Sequence, residues 1–159
     1  MMIKPQPQLY RHDPENGSVG DCFKTCVAML LGVDADQVPH FAKDAIDAGG
    51  DPGQAVQMLR DWLEPQGLGL GQFLYPPETT FSEIIASLSH HSPGIPFMVL
   101  GKSPRGDWGH VVVVQDGKVA DPALGTWRDD PPEEILTGPA EGEDGEKWWW
   151  VECIVRLPS

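Results

Sequence analysis

His110-Val111-Val112-Val113-Val114-Gln115-Asp116-Gly117-Lys118-Val119-Ala120-Asp121-Pro122 is the stretch from which the architecture can be read. Its valine run has no helical spacing and is β-branched throughout, so it reads as a buried strand. Asp116-Gly117 is the kind of pair that a two-residue hairpin turn requires, because its central positions take positive φ. The strands it joins must then be antiparallel. In that register Gln115 faces Lys118, Val113 faces Ala120 and Val112 faces Asp121, which puts His110 on the same side of the sheet as Asp121. Such diagonal neighbours lie about 7–8 Å apart between backbones, a gap that a carboxylate and an imidazole can close. Two readings are open for this pair. One is a solvent-edge histidine beside a turn-forming Asp-Pro; the other is a general base beside the group that orients it.

Working outward, residues 95–100 are a β-type run separated from the hairpin by a loop over 101–107. Residues 147–157 form a closing strand, with Trp149, Val151, Cys153 and Val155 on one face and Trp148, Trp150, Glu152 and Ile154 on the other. Residues 68–75 read as a short strand stopped by Pro76-Pro77. Thr80 opens a helix to about His90 whose Phe81, Ile84, Ile85 and Leu88 face the core. Asp51-Pro52 starts an earlier helix with an Ala55, Met58, Leu59 stripe, and residues 42–48 form a short one ended by Gly49-Gly50. Helices first and antiparallel strands later predict the α+β class. Residues 1–18 form an extended arm, and the Pro-, Gly- and acid-rich residues 123–146 an irregular excursion with one helical turn at 132–136. No composition shift divides the chain, so a single domain over 1–159 is expected.

The second informative stretch is Val19-Gly20-Asp21-Cys22-Phe23-Lys24-Thr25-Cys26-Val27-Ala28-Met29-Leu30-Leu31-Gly32. Phe23, Cys26, Val27, Leu30 and Leu31 recur at spacings of three and four, the mark of a helix with a buried face, and Asp21 suits its N-cap. Cys22 then sits in the first turn, where the positive end of the helix dipole and free N–H groups favour the thiolate. Cys26 lies one turn deeper among apolar neighbours and reads as packing. Core packing is also open for Cys22, unless a base stands beside it.

Composition narrows the function classes. Asp and Glu total 24 against 11 Lys and Arg, a formal charge of -13 that repels phosphate backbones and disfavours nucleic acid as a partner. Eight of the acids fall within residues 129–146. Residues 1–7, from Met1 to Pro7, hold no apolar run of signal-peptide length and nothing later approaches a membrane span, so a cytoplasmic protein away from membranes is expected. Three cysteines cannot all pair within one chain, and reduced thiols are expected. Cys22 and Cys26 have the wrong gap for a zinc knuckle and no phosphate-cradling glycine loop occurs, so neither metal nor cofactor is anticipated.

Gly20-Asp21-Cys22-Phe23-Lys24-Thr25-Cys26 followed by an apolar helix, together with Gly109-His110 before a valine strand and then Asp121-Pro122, resembles the papain-like cysteine peptidases. The closest resemblance is to the bacterial branch that trims leader peptides from bacteriocins. Segments Gly20-Asp21-Cys22-Phe23, Val38-Pro39-His40-Phe41 and Ser103-Pro104-Arg105-Gly106 are also similar to a group of small bacterial and phage proteins. The resemblance implies a papain-like fold, Cys22 as nucleophile, His110 as general base and then acid, and Asp121 as the group orienting it. It further implies an oxyanion donor six residues before the nucleophile, where Asn16 stands in place of the peptidases' Gln, with Gln8 in the arm as a fallback. Phe23 follows the nucleophile where the peptidases carry Gly.

These readings converge on a thiol hydrolase using Cys22, His110, Asp121 and Asn16 on a peptide or amide bond of a peptide or protein substrate. The alternative is a papain-fold module without turnover that acts by binding, such as an accessory protein that blocks a host factor. The dyad requires the Cys22 sulfur within about 4 Å of a His110 ring nitrogen. His40 is expected to cap or pack, His90 and His91 to end a helix, and Cys153 to be core. Arg105 and Trp108, just before the base, are open between substrate contact and plain loop.

Overall fold

The computed structural model describes residues 2–142 and 144–159; Met1 and the Glu143 of the acidic segment lie outside the described residues. Five helices, α1 (Cys22–Leu31), α2 (Phe41–Asp47), α3 (Ala55–Leu63), α4 (Phe81–His91) and α5 (Pro132–Ile135), accompany seven strands among those residues. The strands are β1 (Leu68–Tyr75), β2 (Phe97–Lys102), β3 (Gly109–Gln115), β4 (Lys118–Asp121), β5 (Thr126–Arg128), β6 (Ala140–Glu141) and β7 (Lys147–Arg156). Every pairing is antiparallel, in the order β1-β7-β2-β3-β4-β5, with β6 on β7. The class is α+β. No helix among the described residues is long and apolar enough to cross a membrane.

The hairpin forms as its turn chemistry dictates. Gln115 pairs with Lys118 and Val113 with Ala120, and Asp116 and Gly117 both take positive φ, 49° and 80°. Alternate residues of the sheet feed two cores. Met98, Val111 and Val113 join Cys26, Val27, Ala28 and Met29 of α1 and Leu59 and Leu63 of α3. On the other side Val99, Val112, Val114 and Val151 pack under Phe81, Ile84, Ile85 and Leu88 of α4. Trp149 is fully buried there, stacked on Phe81 with its indole N–H donated to the Thr79 carbonyl at 2.9 Å. Burying a side chain of that size contributes several kcal/mol, at about 25 cal/mol per Å² over roughly 200 Å².

Helix ends follow local chemistry in two places. Thr80 caps α4 by accepting from the Glu83 N–H, and His40 caps α2 by accepting from the Lys43 N–H. His90 and His91 close the last turn of α4. Three expectations need correction. Asp21 precedes α1 but its carboxylate makes no capping bond. Residues 123–146 are not an irregular excursion, since β5 pairs with β4 and β6 with β7 inside them. Cys153 is half-buried at the margin of the second core rather than within it.

Candidate active site

The uncapped Asp21 is fully buried and turned toward the arm. Its two carboxylate oxygens accept the backbone N–H groups of Leu9 at 3.2 Å and Tyr10 at 2.9 Å, and its own N–H donates to the Tyr10 carbonyl. A charged acceptor with two backbone donors outcompetes a capping bond from the same residue. The arm is therefore pinned across the start of α1. Close approach continues at Gly20, where a Cβ would lie 2.7 Å from the His12 backbone nitrogen. The first-turn amides of α1, that of Cys22 among them, are left without a side-chain cap.

Cys22 is thereby presented at the mouth of α1, close enough to the His110 ring that each group shifts the titration of the other. The ring Nε2 is held by Asp121 Oδ1 at 2.7 Å, which fixes the orientation of the imidazole. Asp121 is itself fixed. Oδ1 also accepts the Ala123 N–H at 2.9 Å, and Oδ2 accepts Nη1 of Arg128 at 2.7 Å. Arg128 in turn donates Nε to Asp130. His110 and Asp121 are both nearly inaccessible to solvent. The hairpin register thus delivers the contact its sequence implies, and β5 adds an arginine that a three-residue strand gave little pattern to reveal.

Electrostatics separate the groups in the sense that catalysis needs. Burial pushes the Cys22 thiol up, but the hydrogen bond and charge of His110, with a backbone bond at Val111, more than offset it and hold the thiol below its usual value. Burial depresses His110, yet Asp121 and Cys22 raise it to about 9. Burial pushes the Asp121 carboxyl up, while His110, the Ala123 N–H and Arg128 together bring it below the ordinary aspartate value. Both shifts favour the state with the proton on nitrogen and the negative charge on sulfur. A thiolate so held can attack an electrophilic carbon, with an acid in contact to protonate a leaving group.

The dyad opens on a cleft of about 1340 Å³ between the helices and the sheet. Phe23, Ala42, Ile46 and Val56 lie on one wall; Met98, Leu100, Trp150 and Glu152 make the sheet side; Lys102, Arg105, Trp108 and residues 137–142 lie on the rim. Arg105 and Trp108 both line it, and Trp108 meets His12 edge-to-face at 5.2 Å.

Asn16 is the one predicted site residue that the fold keeps away. It ends a short 3-10 turn, is exposed, and donates its amide to Asp13 Oδ2 at 2.7 Å. Gln8 occupies the cleft instead. Its backbone N–H donates to the Pro122 carbonyl at 2.7 Å, tying the arm to the turn that carries Asp121, and its amide Nε2 donates to the Tyr10 carbonyl. The path of the arm decides this. Counting six residues back from the nucleophile assumes a helical approach, whereas residues 13–18 loop outward through the Asp13–Ser18 bridge.

Among the described residues three buried side-chain polar atoms lack a partner, Gln8 Oε1, Trp108 Nε1 and Glu152 Oε2. All three residues line the cleft that holds Cys22 and His110. Buried polar atoms are otherwise satisfied in folded proteins, so their concentration in one cleft marks it as a place where a polar ligand completes the bonding. No family model matches the chain, and neither a curated protein nor a solved structure does.

Proposed function

We propose that the protein is a papain-like thiol hydrolase acting on a peptide or amide bond of a peptide or protein substrate in the cytoplasm. The observation that carries this reading is the buried His110–Asp121–Arg128 chain beside Cys22, with Cys22 and His110 lining a substrate-sized cleft. The Cys22 sulfur attacks the carbonyl carbon and a C–S bond forms. The carbonyl oxygen takes the negative charge and accepts hydrogen bonds from the Cys22 backbone N–H and from the second amide N–H of Gln8, the first being committed to Tyr10. Gln8 takes the role first assigned to Asn16. Collapse breaks the C–N bond, and His110 gives its proton to the leaving amine. Water then attacks the thioester while His110 accepts a proton, releasing the acid and restoring the thiolate–imidazolium pair.

The test is chemical. Brief iodoacetamide treatment at neutral pH followed by peptide mass mapping should label Cys22 far faster than Cys26 or Cys153. Equal reactivity of the three would remove the activated thiol and leave the binding-module reading.

A further inference from the structure

The cleft contains a carboxylate that the hydrolytic relay does not use. Glu152 is 6% exposed and lies on the sheet side of the cleft. One oxygen, Oε1, accepts Nε2 of Gln72 at 3.1 Å, while Oε2 has no partner. Arg60 donates to the Gln72 amide oxygen at 3.3 Å and reaches Glu152 through its charge rather than a hydrogen bond. Burial raises the Glu152 carboxyl above its ordinary value despite the Gln72 bond and the Arg60 charge. One neutral amide in contact and a cation at longer range are thin compensation for a buried carboxylate.

Position gives that oxygen its meaning. Glu152 pairs with Met98, which pairs with Val113, two residues along β3 from the Val111 beside the nucleophile. Two strand spacings separate Glu152 from β3, about 10 Å. An extended chain rises about 3.3 Å per residue, so a peptide lying across the cleft with its reactive bond at Cys22 brings a side chain a few residues away over Glu152. We propose that Glu152 is a specificity residue that binds a lysine or arginine side chain flanking the bond attacked by Cys22. A guanidinium or ammonium supplies the donors that Oε2 lacks and sets a positive charge in direct contact with the carboxylate. On the rim the carboxylates Asp107, Glu141, Asp144 and Glu146 outnumber the cations Lys102, Arg105 and Lys147, so the approach carries an excess of negative charge.

This inference rests on the cleft being a peptide site, and its test separates the two. A mixture of random decapeptides is incubated with the wild-type protein and with Glu152→Gln, which keeps the shape and the Gln72 bond, and cut sites are read by mass spectrometry. Expected is at least tenfold enrichment of Lys or Arg at one fixed position within a few residues of the cut, abolished by Glu152→Gln while cutting itself persists. Cutting without enrichment, or enrichment that survives Glu152→Gln, overturns the role of Glu152 and leaves the hydrolase intact. If nothing is cut, the same mixture is passed over immobilised Cys22→Ala protein with and without Glu152→Gln. Retention of basic peptides that Glu152→Gln abolishes upholds the cation site while the hydrolase reading falls, and no such retention ends both.

Discussion

The first and second turns of α1 carry the same side chain in opposite states. Cys22 and Cys26 stand four residues apart on one helix face, and burial raises both thiols. Cys26 stays well above its ordinary value, raised further by the charges of Cys22 and Asp121, and its thiol donates to the Val111 carbonyl at 3.4 Å. Cys22 comes out lowered because His110 meets it. The helix end contributes about 0.3–1 kcal/mol when exposed and up to about 2 kcal/mol when partly buried, but the influences that lower Cys22 are the neighbouring His110 and a backbone bond at Val111. The contrast teaches that the reactive sulfur is made by a side chain from β3, 88 positions along the chain, and only presented by the helix.

The largest expected effect comes from erasing that contrast. His110→Ala should lower hydrolysis of a test peptide about 10²–10⁴-fold and bring iodoacetamide labelling of Cys22 at neutral pH down to that of an ordinary thiol. Labelling that stayed fast would credit the helix end instead. Next comes Gln8→Ala, for which a loss of about 10²–10³ in kcat is expected with alkylation of Cys22 unchanged, because alkylation builds no oxyanion. A parallel fall in both rates would reduce Gln8 to an anchor of the arm.

Varying pH sharpens the comparison. Alkylation of Cys22 should set in at a lower pH than that of Cys26 and Cys153, both of which are raised. Hydrolysis should decline as pH passes about 9, where His110 loses the proton the leaving group needs, while alkylation continues. For stability the signs oppose. His110, raised from 6.5 to about 9, alone contributes stability present below 6.5 and lost as pH rises through 9. Cys22, lowered from 9.0, alone contributes stability present above 9.0 and lost as pH falls through its folded value. Above both 6.5 and the folded value of Cys22, and below about 9, the pair binds one proton in either state, on nitrogen when folded and on sulfur when unfolded, so the slopes cancel there. Cys22→Ala removes one half, and its Tm relative to wild type should fall as pH rises above 6.5, since Asp121 still holds His110 up. A constant difference in Tm across that range would mean that no ion pair forms.

Smallest is the effect of Cys26→Ala. Labelling and hydrolysis should survive, with a stability loss of about 1 kcal/mol read from urea unfolding. A large loss of activity would make the second thiol part of the chemistry.

What was legible beforehand tracks how local each signal is. The Thr80 cap with its apolar stripe, the Asp116-Gly117 turn and the valine run each specify their own element, and the His110–Asp121 contact follows from register alone. Asp21 misled because a capping aspartate and one that clamps an arm look alike in sequence, and the choice depends on Leu9 and Tyr10 arriving from outside the helix. Asn16 lies exposed and Gln8 lines the cleft for the same reason, the course of the arm being a tertiary property. Strands of three and two residues, β5 and β6, carry no periodicity and exist because β4 and β7 offer them edges, which is why Arg128 went unseen. The free oxygen of Glu152 depends on Gln72 and Arg60, brought together by three elements.

The position of β7 has a consequence for how the protein is made. The last strand in the chain lies between β1 and β2, pairing with both. Until Lys147–Arg156 has left the ribosome, β1 and β2 have no shared partner, and the wall carrying Trp150 and Glu152 does not exist. Cys22 and His110 precede that strand in the chain, while the cleft beside them is completed by long-range pairing, the slow kind. A chain without Lys147–Arg156 therefore lacks the sheet wall of the cleft.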